Sequence, residues 1–261
     1  MLGARVTPIL ERLRCAKHNW LDRQNFTLSF EEDRYAVRTK DEITLCFPRN
    51  PYLELLHVQG YLRHGLWTLE PGMNVVDVGA CQGEFALYAS ARVGRTGRVF
   101  VMEPDPSNIA LLEEVFVVNG GKPQNLILIK EGLWKHRGTL EFAVGHGLVS
   151  KVAALRTASS RGSEKKITIP VHSLASLVAS YGITRLDFVK IDIEGAEIEA
   201  VEGARQVIEE LKPRFAIASY HVRDGKPTSE ILPELFAAVG YHVETGFEQH
   251  RTTYASPVPL S

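Results

Sequence analysis

Apolar and polar positions change their period along this chain. Up to about residue 69 the pattern is mixed. Residues 1–22 carry the spacing of a short amphipathic helix, and FTLSFEEDRYAVRTKDEITLCF (26–47) alternates with charged breaks in the manner of short antiparallel strands. Pro48 and Pro51 end that run, and YLELLHVQGYLRHGL returns to helical spacing. From Pro71 onward, short β-branched runs alternate with amphipathic stretches. MNVVDVG (73–79), RVFVMEP (98–104) and LILIK (126–130) read as strands. EFALYASARV (84–93) and PSNIALLEEVFVVNG (106–120) read as helices, the second closed by Asn119 and Gly120. Such alternation predicts a parallel sheet covered on both faces by helices.

The middle of the chain breaks this rhythm. Residues 138–144 and 167–171 read as strands around HGLVSKVAALRTASSRGSEKK, a polar and basic stretch expected either to lie over a ligand or to stand as a solvated insertion. Alternation then resumes with the strand LDFVKID (186–192), helical AEIEAVEGARQVIEEL and the strand RFAIASYH (214–221). SEILPELFAAVG reads as a helix despite Pro233, YHVETG (241–246) as a strand, and RTTYAS as a final antiparallel one. The expected division is an N-terminal α+β extension or cap over 1–69, serving as extra core or in substrate selection, and one α/β domain over 70–261.

Charge and cysteines narrow the classes. A formal net charge of −1 over 261 residues provides no global field toward nucleic acid or an anionic membrane. Arg5, Arg12, Arg14, Lys17 and Arg23 are scattered, as on a solvated face, though they could contact phosphate. Cys15, Cys46 and Cys81 make neither a disulfide framework nor CxxC spacing, so a reducing cytoplasm is the expected compartment. The N-terminus lacks the apolar core of a signal peptide, and no run is long enough to span a bilayer.

The first strand–turn–helix unit carries the chemistry. VVDVGACQGEF (75–85) ends an apolar run in Asp77-Val78-Gly79-Ala80-Cys81-Gln82-Gly83. In an open parallel sheet, ligands collect at this end of the strands. A dinucleotide places its pyrophosphate on a helix N-terminus, where a fixed acid such as Asp77 repels it. A ligand with a cationic amino group gains a charge-assisted hydrogen bond instead. S-adenosylmethionine has such a group together with a sulfonium, and Gly79 and Gly83 allow close backbone approach. The second strand ends in Met102-Glu103-Pro104-Asp105, and a carboxylate there can accept both ribose hydroxyls. After the third strand, Gly132 and Leu133 are expected to wall the adenine, with Trp134 either core or stacking surface. The expected donor cradle is therefore Asp77, Gly79, Ala80, Gly83, Glu103, Pro104, Gly132 and Leu133, together with Asp192.

Lys190, Asp192 and Glu194 alternate along DFVKIDIE and so point to one side. In one reading Asp192 orients donor or acceptor, Lys190 assists proton removal and Glu194 contacts the acceptor. In the other, Lys190 pairs with an acid and Glu194 caps the next helix. His221, at the end of the following strand, is the leading candidate for general base and also faces the acceptor. Asp192, Glu194 and His221 could together hold a divalent metal, which is not the favoured reading. The Asn/Asp-Pro-Pro-aromatic string common to methylation of exocyclic base amines is absent after this strand, where Asp192-Ile193-Glu194-Gly195 stands instead.

NVVDVGACQGEFALYASARVG, VFVMEPDPSN and above all LDFVKIDIEGAEIEAVEGA resemble the FkbM-type methyltransferases, a branch of the class I S-adenosylmethionine-dependent enzymes. The likeness spans roughly 70–245, and K-x-D-x-E-G-x-E is its most specific string. It implies a Rossmann-like α/β fold with a seven-stranded, mostly parallel sheet and a reversed last strand. It also implies methyl transfer, usually to a hydroxyl on a sugar, polyketide or related small metabolite. The leading expectation is O-methylation of a small molecule or glycan, with nucleic acid disfavoured as partner and a homo-oligomer left open. RNA or protein methylation, an NAD-binding oxidoreductase and a catalytically silent nucleoside-binding module remain the alternatives.

Overall fold

Apolar runs with no polar face satisfy themselves only inside a sheet covered on both sides, and the strands of the second part of the chain do so. A computed structural model describes residues 8–21, 26–62, 67–144, 151–152, 165–246 and 250–260. The N-terminal part holds helix α1 (Pro8–Leu21), the antiparallel strands β1 (Phe26–Glu31), β2 (Arg34–Thr39) and β3 (Thr44–Phe47), and helix α2 (Tyr52–Tyr61). Next come β4 (Asn74–Val78), α3 (Glu84–Val93), β5 (Arg98–Met102), α4 (Pro106–Val118) and β6 (Leu126–Ile129). A second group follows: β7 (Gly132–Leu133), β8 (Gly138–Val144), β9 (Lys151–Val152) and β10 (Lys165–His172). The chain then forms α5 (Leu174–Ser180), β11 (Phe188–Ile191), α6 (Glu197–Glu202), α7 (Arg205–Glu210) and β12 (Arg214–Ala218). It closes with the small hairpin β13 (Val222–Arg223) and β14 (Lys226–Pro227), α8 (Leu232–Ala237), β15 (His242–Gly246) and β16 (Thr252–Ser256).

The main sheet has seven strands in the order β15-β16-β12-β11-β4-β5-β6. Pairing is parallel from β12 to β6, and β16 runs antiparallel between β12 and β15. This is the expected α/β architecture with its reversed strand. One face buries Val75, Phe188 and Ala216 against α3, and the other buries Val76, Val189 and Phe215 against α7 and α8. The N-terminal elements share the first of these cores, since Leu28, Val37, Phe47 and Leu55 lie in one cluster with Ala86 and Leu112. Asn119 ties them further. Its side chain accepts from Cys46 N at 2.8 Å and donates to Cys46 O at 2.7 Å, joining β3 to the end of α4.

Several expectations were too simple. AEIEAVEGARQVIEEL is not one helix but α6 and α7, broken at Gly203, where a Cβ would stand 2.6 Å from both Trp134 O and Lys135 Cα. RFAIASYH ends as a strand at Ala218, so that Tyr220 and His221 leave the sheet. Pro233 sits in the first turn of α8, where its missing N–H costs nothing. The strands at 138–144 and 167–171 pair with each other, and with β7 and β9 they build a separate sheet of four strands in the order β7-β10-β8-β9. Helix α5, whose Ser173 and Ser176 make a reciprocal cap, was not anticipated. The expected covering loop falls largely on residues 145–150 and 153–164, outside the described residues. No helix among the described residues is long and apolar enough to cross a membrane.

Candidate functional site

The carboxyl ends of β4, β5 and β11 open into one pocket, floored by Val78, Gly79, Met102 and Ile193. The short sheet supplies an apolar wall of Phe142, Val152, Ile169 and Val171, while α2 contributes Glu54 and His57 from above. Of the candidate site residues, Gly79, Glu103, Pro104, Gly132, Leu133, Asp192 and Glu194 line this space. Trp134 does not. It is buried with Phe142, Val152 and Ala196 and is core.

Glu103 lines the pocket with both carboxylate oxygens already hydrogen-bonded. Its Oε2 accepts from Cys81 N at 2.9 Å and its Oε1 from Asp105 N at 2.9 Å, which fixes the carboxylate at the mouth of β5. Cys81 makes this bond with φ +53°, a left-handed conformation uncommon for a residue with a side chain. Glu103 is 4% exposed, and burial pushes its pKa up to about 7 against the opposing N–H donors. The Asn108 side chain is a third donor to this carboxylate, and the acceptor capacity that remains faces the pocket.

Asp77 needs correction. Its carboxyl is 0% exposed and off the pocket, and its Oδ1 sits 3.0 Å from Lys190 Nζ. It therefore does not reach a ligand in the pocket; the acids that line the pocket at the strand ends are Glu103, Asp192 and Glu194. Lys190 is corrected with it. Its ammonium also donates to Gly79 O at 2.7 Å, and although burial opposes its charge, Asp77 and Asp192 hold its pKa above the usual lysine value. A lysine so engaged cannot take a proton, and the reading in which it pairs with an acid holds.

Gly79 and Gly83 are required by packing within the chain. At Gly79, with φ +77°, a Cβ would overlap Asp192 O; at Gly83, with φ +92°, it would overlap Leu112 Cδ1. Gly79 lines the pocket through backbone, whereas Ala80 and Gly83 lie behind it.

The exit of β11 gathers the polar groups. Glu194 adopts φ +56°, and Gly195 completes the turn with φ +102°. The helix cap expected of Glu194 is not formed; instead Glu197, the first residue of α6, ties down the preceding turn, its Oε1 accepting from Ile193 N at 3.2 Å and Gly195 N at 3.1 Å. His221 lies among acids: Nδ1 is 2.9 Å from Glu197 Oε1, and Nε2 is 3.6 Å from Glu194 Oε2 and 3.9 Å from Asp192 Oδ1. Burial works against its charge, but Glu197, Asp192 and Glu194 prevail and raise its pKa to about 9. Thus His221 carries a proton at neutral pH and does not line the pocket, which removes it as the general base.

Sequence reasoning missed the partners of Asp192. The Tyr61 hydroxyl donates to its Oδ2 at 2.8 Å, His250 Nε2 stands 3.7 Å from the same oxygen, and His57 packs against His250 with ring centroids 4.1 Å apart and planes tilted by 31°. Burial raises the cost of the Asp192 charge, yet His250, Lys190 and His221 outweigh this and hold its pKa well below the usual carboxylate range. Burial and the neighbouring His250 push the His57 pKa down to about 4, so that ring is neutral at neutral pH. Ligating atoms of His57, Asp192 and His250 lie within 4.8 Å of one another, as do those of Asp192, Glu197 and His221, so either group could hold a metal. Of the scattered basic residues, Arg14 pairs with Glu11 at 2.6 Å and Arg12 donates to Phe30 O at 3.3 Å; Arg5 and Arg23 fall outside the described residues.

Residues 77–243 match the methyltransferase FkbM domain. The chain is 30% identical over 160 residues to the hexuronic acid methyltransferase AglP of Haloferax volcanii, an alignment covering 60% of each protein. It is 39% identical over 69 residues to ribosomal RNA large subunit methyltransferase E of Lawsonia intracellularis, covering 24% of this chain and 34% of that one. The crystal structure of an FkbM methyltransferase from Methylobacillus flagellatus KT has the same fold, with a TM-score of 0.54 at 22% identity over 75% of this chain and 46% of that chain. The chain thus spans less than two thirds of the length of each of these relatives.

Proposed function

The chain belongs to the FkbM methyltransferase family, and on that premise we propose that it transfers a methyl group from S-adenosylmethionine to a hydroxyl of a small molecule or glycan. The observation that carries the donor assignment is Glu103. Its buried carboxylate is held by backbone N–H groups on one side and turned to the pocket on the other, which suits a ribose diol. When bound, S-adenosylmethionine supplies a methyl carbon already activated by its sulfonium, so that the new O–C bond forms as C–S breaks and the electron pair stays on sulfur.

The chain's own residues do the rest. Pro104, Gly132 and Leu133, with the apolar wall behind them, enclose a base and exclude water from it. At the other end, Asp192, Glu194 and His57 offer acceptors to a hydroxyl entering beside the donor. An alcohol becomes strongly acidic as its oxygen is methylated, so a carboxylate or imidazole in reach suffices to receive the proton. Lys190 and His221 act behind this face, shaping Gly79 and the turn after β11. The hexuronic acid named for the Haloferax relative supports a sugar acceptor, and the ribosomal RNA named for the Lawsonia relative supports an RNA one.

Calorimetric titration with S-adenosylhomocysteine and with NAD tests the donor site. Transfer of labelled methyl to sugars, glycans and RNA then tests the acceptor. Binding of S-adenosylhomocysteine with label entering a glycan or small alcohol is expected. NAD binding in its place sinks the donor assignment, label entering RNA with strong salt dependence replaces the acceptor, and donor binding without transfer to any acceptor leaves a silent module.

A further inference from the structure

We propose that His57, Asp192 and His250 hold a divalent transition-metal cation whose open coordination positions face the pocket. The three come from separate segments, α2, the exit of β11 and the approach to β16, and their ligating atoms converge within 4.8 Å.

Hydrogen bonds hold His250 in place for such a site. Its Nδ1 lies 3.3 Å from Thr252 Oγ1, which donates to His250 O at 2.9 Å, and its Nε2 lies 3.2 Å from the Tyr61 hydroxyl and 3.7 Å from Asp192 Oδ2. The Tyr61 hydroxyl donates to the same Asp192 oxygen at 2.8 Å, so that Nε2 and the carboxylate share one small space beside a ring only 3% exposed. With its proton on Nδ1, directed at Thr252 Oγ1, the ring offers its Nε2 lone pair to a cation, the tautomer that metal ligands adopt. Charge points the same way. Asp77, Asp192, Glu194 and Glu197 crowd this end of β11 against Lys190 and His221, and Lys190 is engaged by Asp77.

The alternative group of Asp192, Glu197 and His221 is a weaker site. Its imidazole lies against Glu197 Oε1, that oxygen already caps the turn at Gly195, and neither Glu197 nor His221 lines the pocket. Two imidazoles and one carboxylate suit manganese, iron or zinc better than magnesium or calcium, which favour oxygen ligands. Because His57 and Asp192 line the pocket, the positions left open face the place where an acceptor enters. There the cation binds the acceptor oxygen and lowers its pKa, and the hydroxyl proton leaves to water. This chemical role rests on the methyl-transfer reading; the metal site itself does not.

The test uses the full chain, treated with chelator and titrated calorimetrically with Mn²⁺ and with Zn²⁺, with S-adenosylhomocysteine titrated into the same samples. One ion per chain is expected, with binding lost in His57→Ala and in His250→Gln. Thr252→Val, which removes only the oxygen that orients His250, should weaken binding by about tenfold or more while S-adenosylhomocysteine binding persists. Failure of the wild-type chain to take up either ion, or unchanged uptake in both histidine variants, overturns the proposal. If S-adenosylhomocysteine still binds in that case, the donor reading stands without the metal. If the ion binds and S-adenosylhomocysteine does not, the metal site stands and the donor reading falls.

Discussion

Removing the carboxylate of Glu103 is the most informative single perturbation. Both oxygens are fixed by backbone donors 2.9 Å away, so the group is positioned before a ligand arrives. A hydrogen bond to a charged group is worth about 1.5–3 kcal/mol. Two ribose hydroxyls, less the water that replaces the side chain in the variant, give about 3–4 kcal/mol. S-adenosylhomocysteine should then bind Glu103→Ala about 100- to 1,000-fold more weakly by calorimetry. Glu103→Gln should fall between, because its amide must turn an NH₂ toward either Cys81 N or Asp105 N, both of them donors. The pKa near 7 adds a second signature: the carboxylate form accepts the diol better, so wild-type affinity should rise from pH 6 to pH 8 and stay flat in Glu103→Gln. An affinity within about threefold of wild type in Glu103→Ala, or one that falls as pH rises, refutes the reasoning. Without donor the sense reverses for the fold. A rise from 4.5 to about 7, at about 1.4 kcal/mol per unit, means that about 3 kcal/mol of stability present below pH 4.5 is lost as pH climbs through 7, and Glu103→Gln should lack that loss.

Gly79→Ala should weaken S-adenosylhomocysteine about tenfold or more and destabilise the fold by more than about 1 kcal/mol, since φ +77° strains any Cβ and Asp192 O stands where it would go; calorimetry and urea unfolding measure both. Lys190→Met strands a buried carboxylate and should cost about 3–5 kcal/mol, most of it recovered in the Asp77→Asn double variant; equal unfolding midpoints for the single and double variants would contradict the pairing. In chelator-treated protein, His221, with a pKa raised from 6.5 to about 9, contributes about 3 kcal/mol that is complete below pH 6.5 and lost as pH rises through 9. His221→Gln should therefore remove that segment of the pH–stability curve.

How much of this was legible in the sequence depends on the range of the interaction. The strands β4, β5, β6 and β11 and the helices α3 and α4 were readable because period and turn residues are local, and Asp105 and Pro106 mark the start of α4 within two adjacent positions. Glu103 was readable for the same reason: it ends an apolar run, and a strand end in a parallel sheet has one destination. The break at Gly203 was not, because nothing near it in sequence signals that the backbone of Trp134 and Lys135 presses there.

The candidate site divides along the same line. Sequence alone determined the sheet, the glycine turn and which carboxylates stand at the strand mouths, because each follows from periodicity or from the sterics of a few neighbouring residues. Direction and protonation were decided by tertiary contacts. Asp77 turns inward because Lys190 from the adjacent strand neutralises it, His221 keeps its proton because Glu197, Asp192 and Glu194 surround it, and His57 and His250 reach Asp192 only when α2 and the approach to β16 pack against the exit of β11. Burial and partner charge set what an ionisable group does, and both belong to the packed chain rather than to the residue.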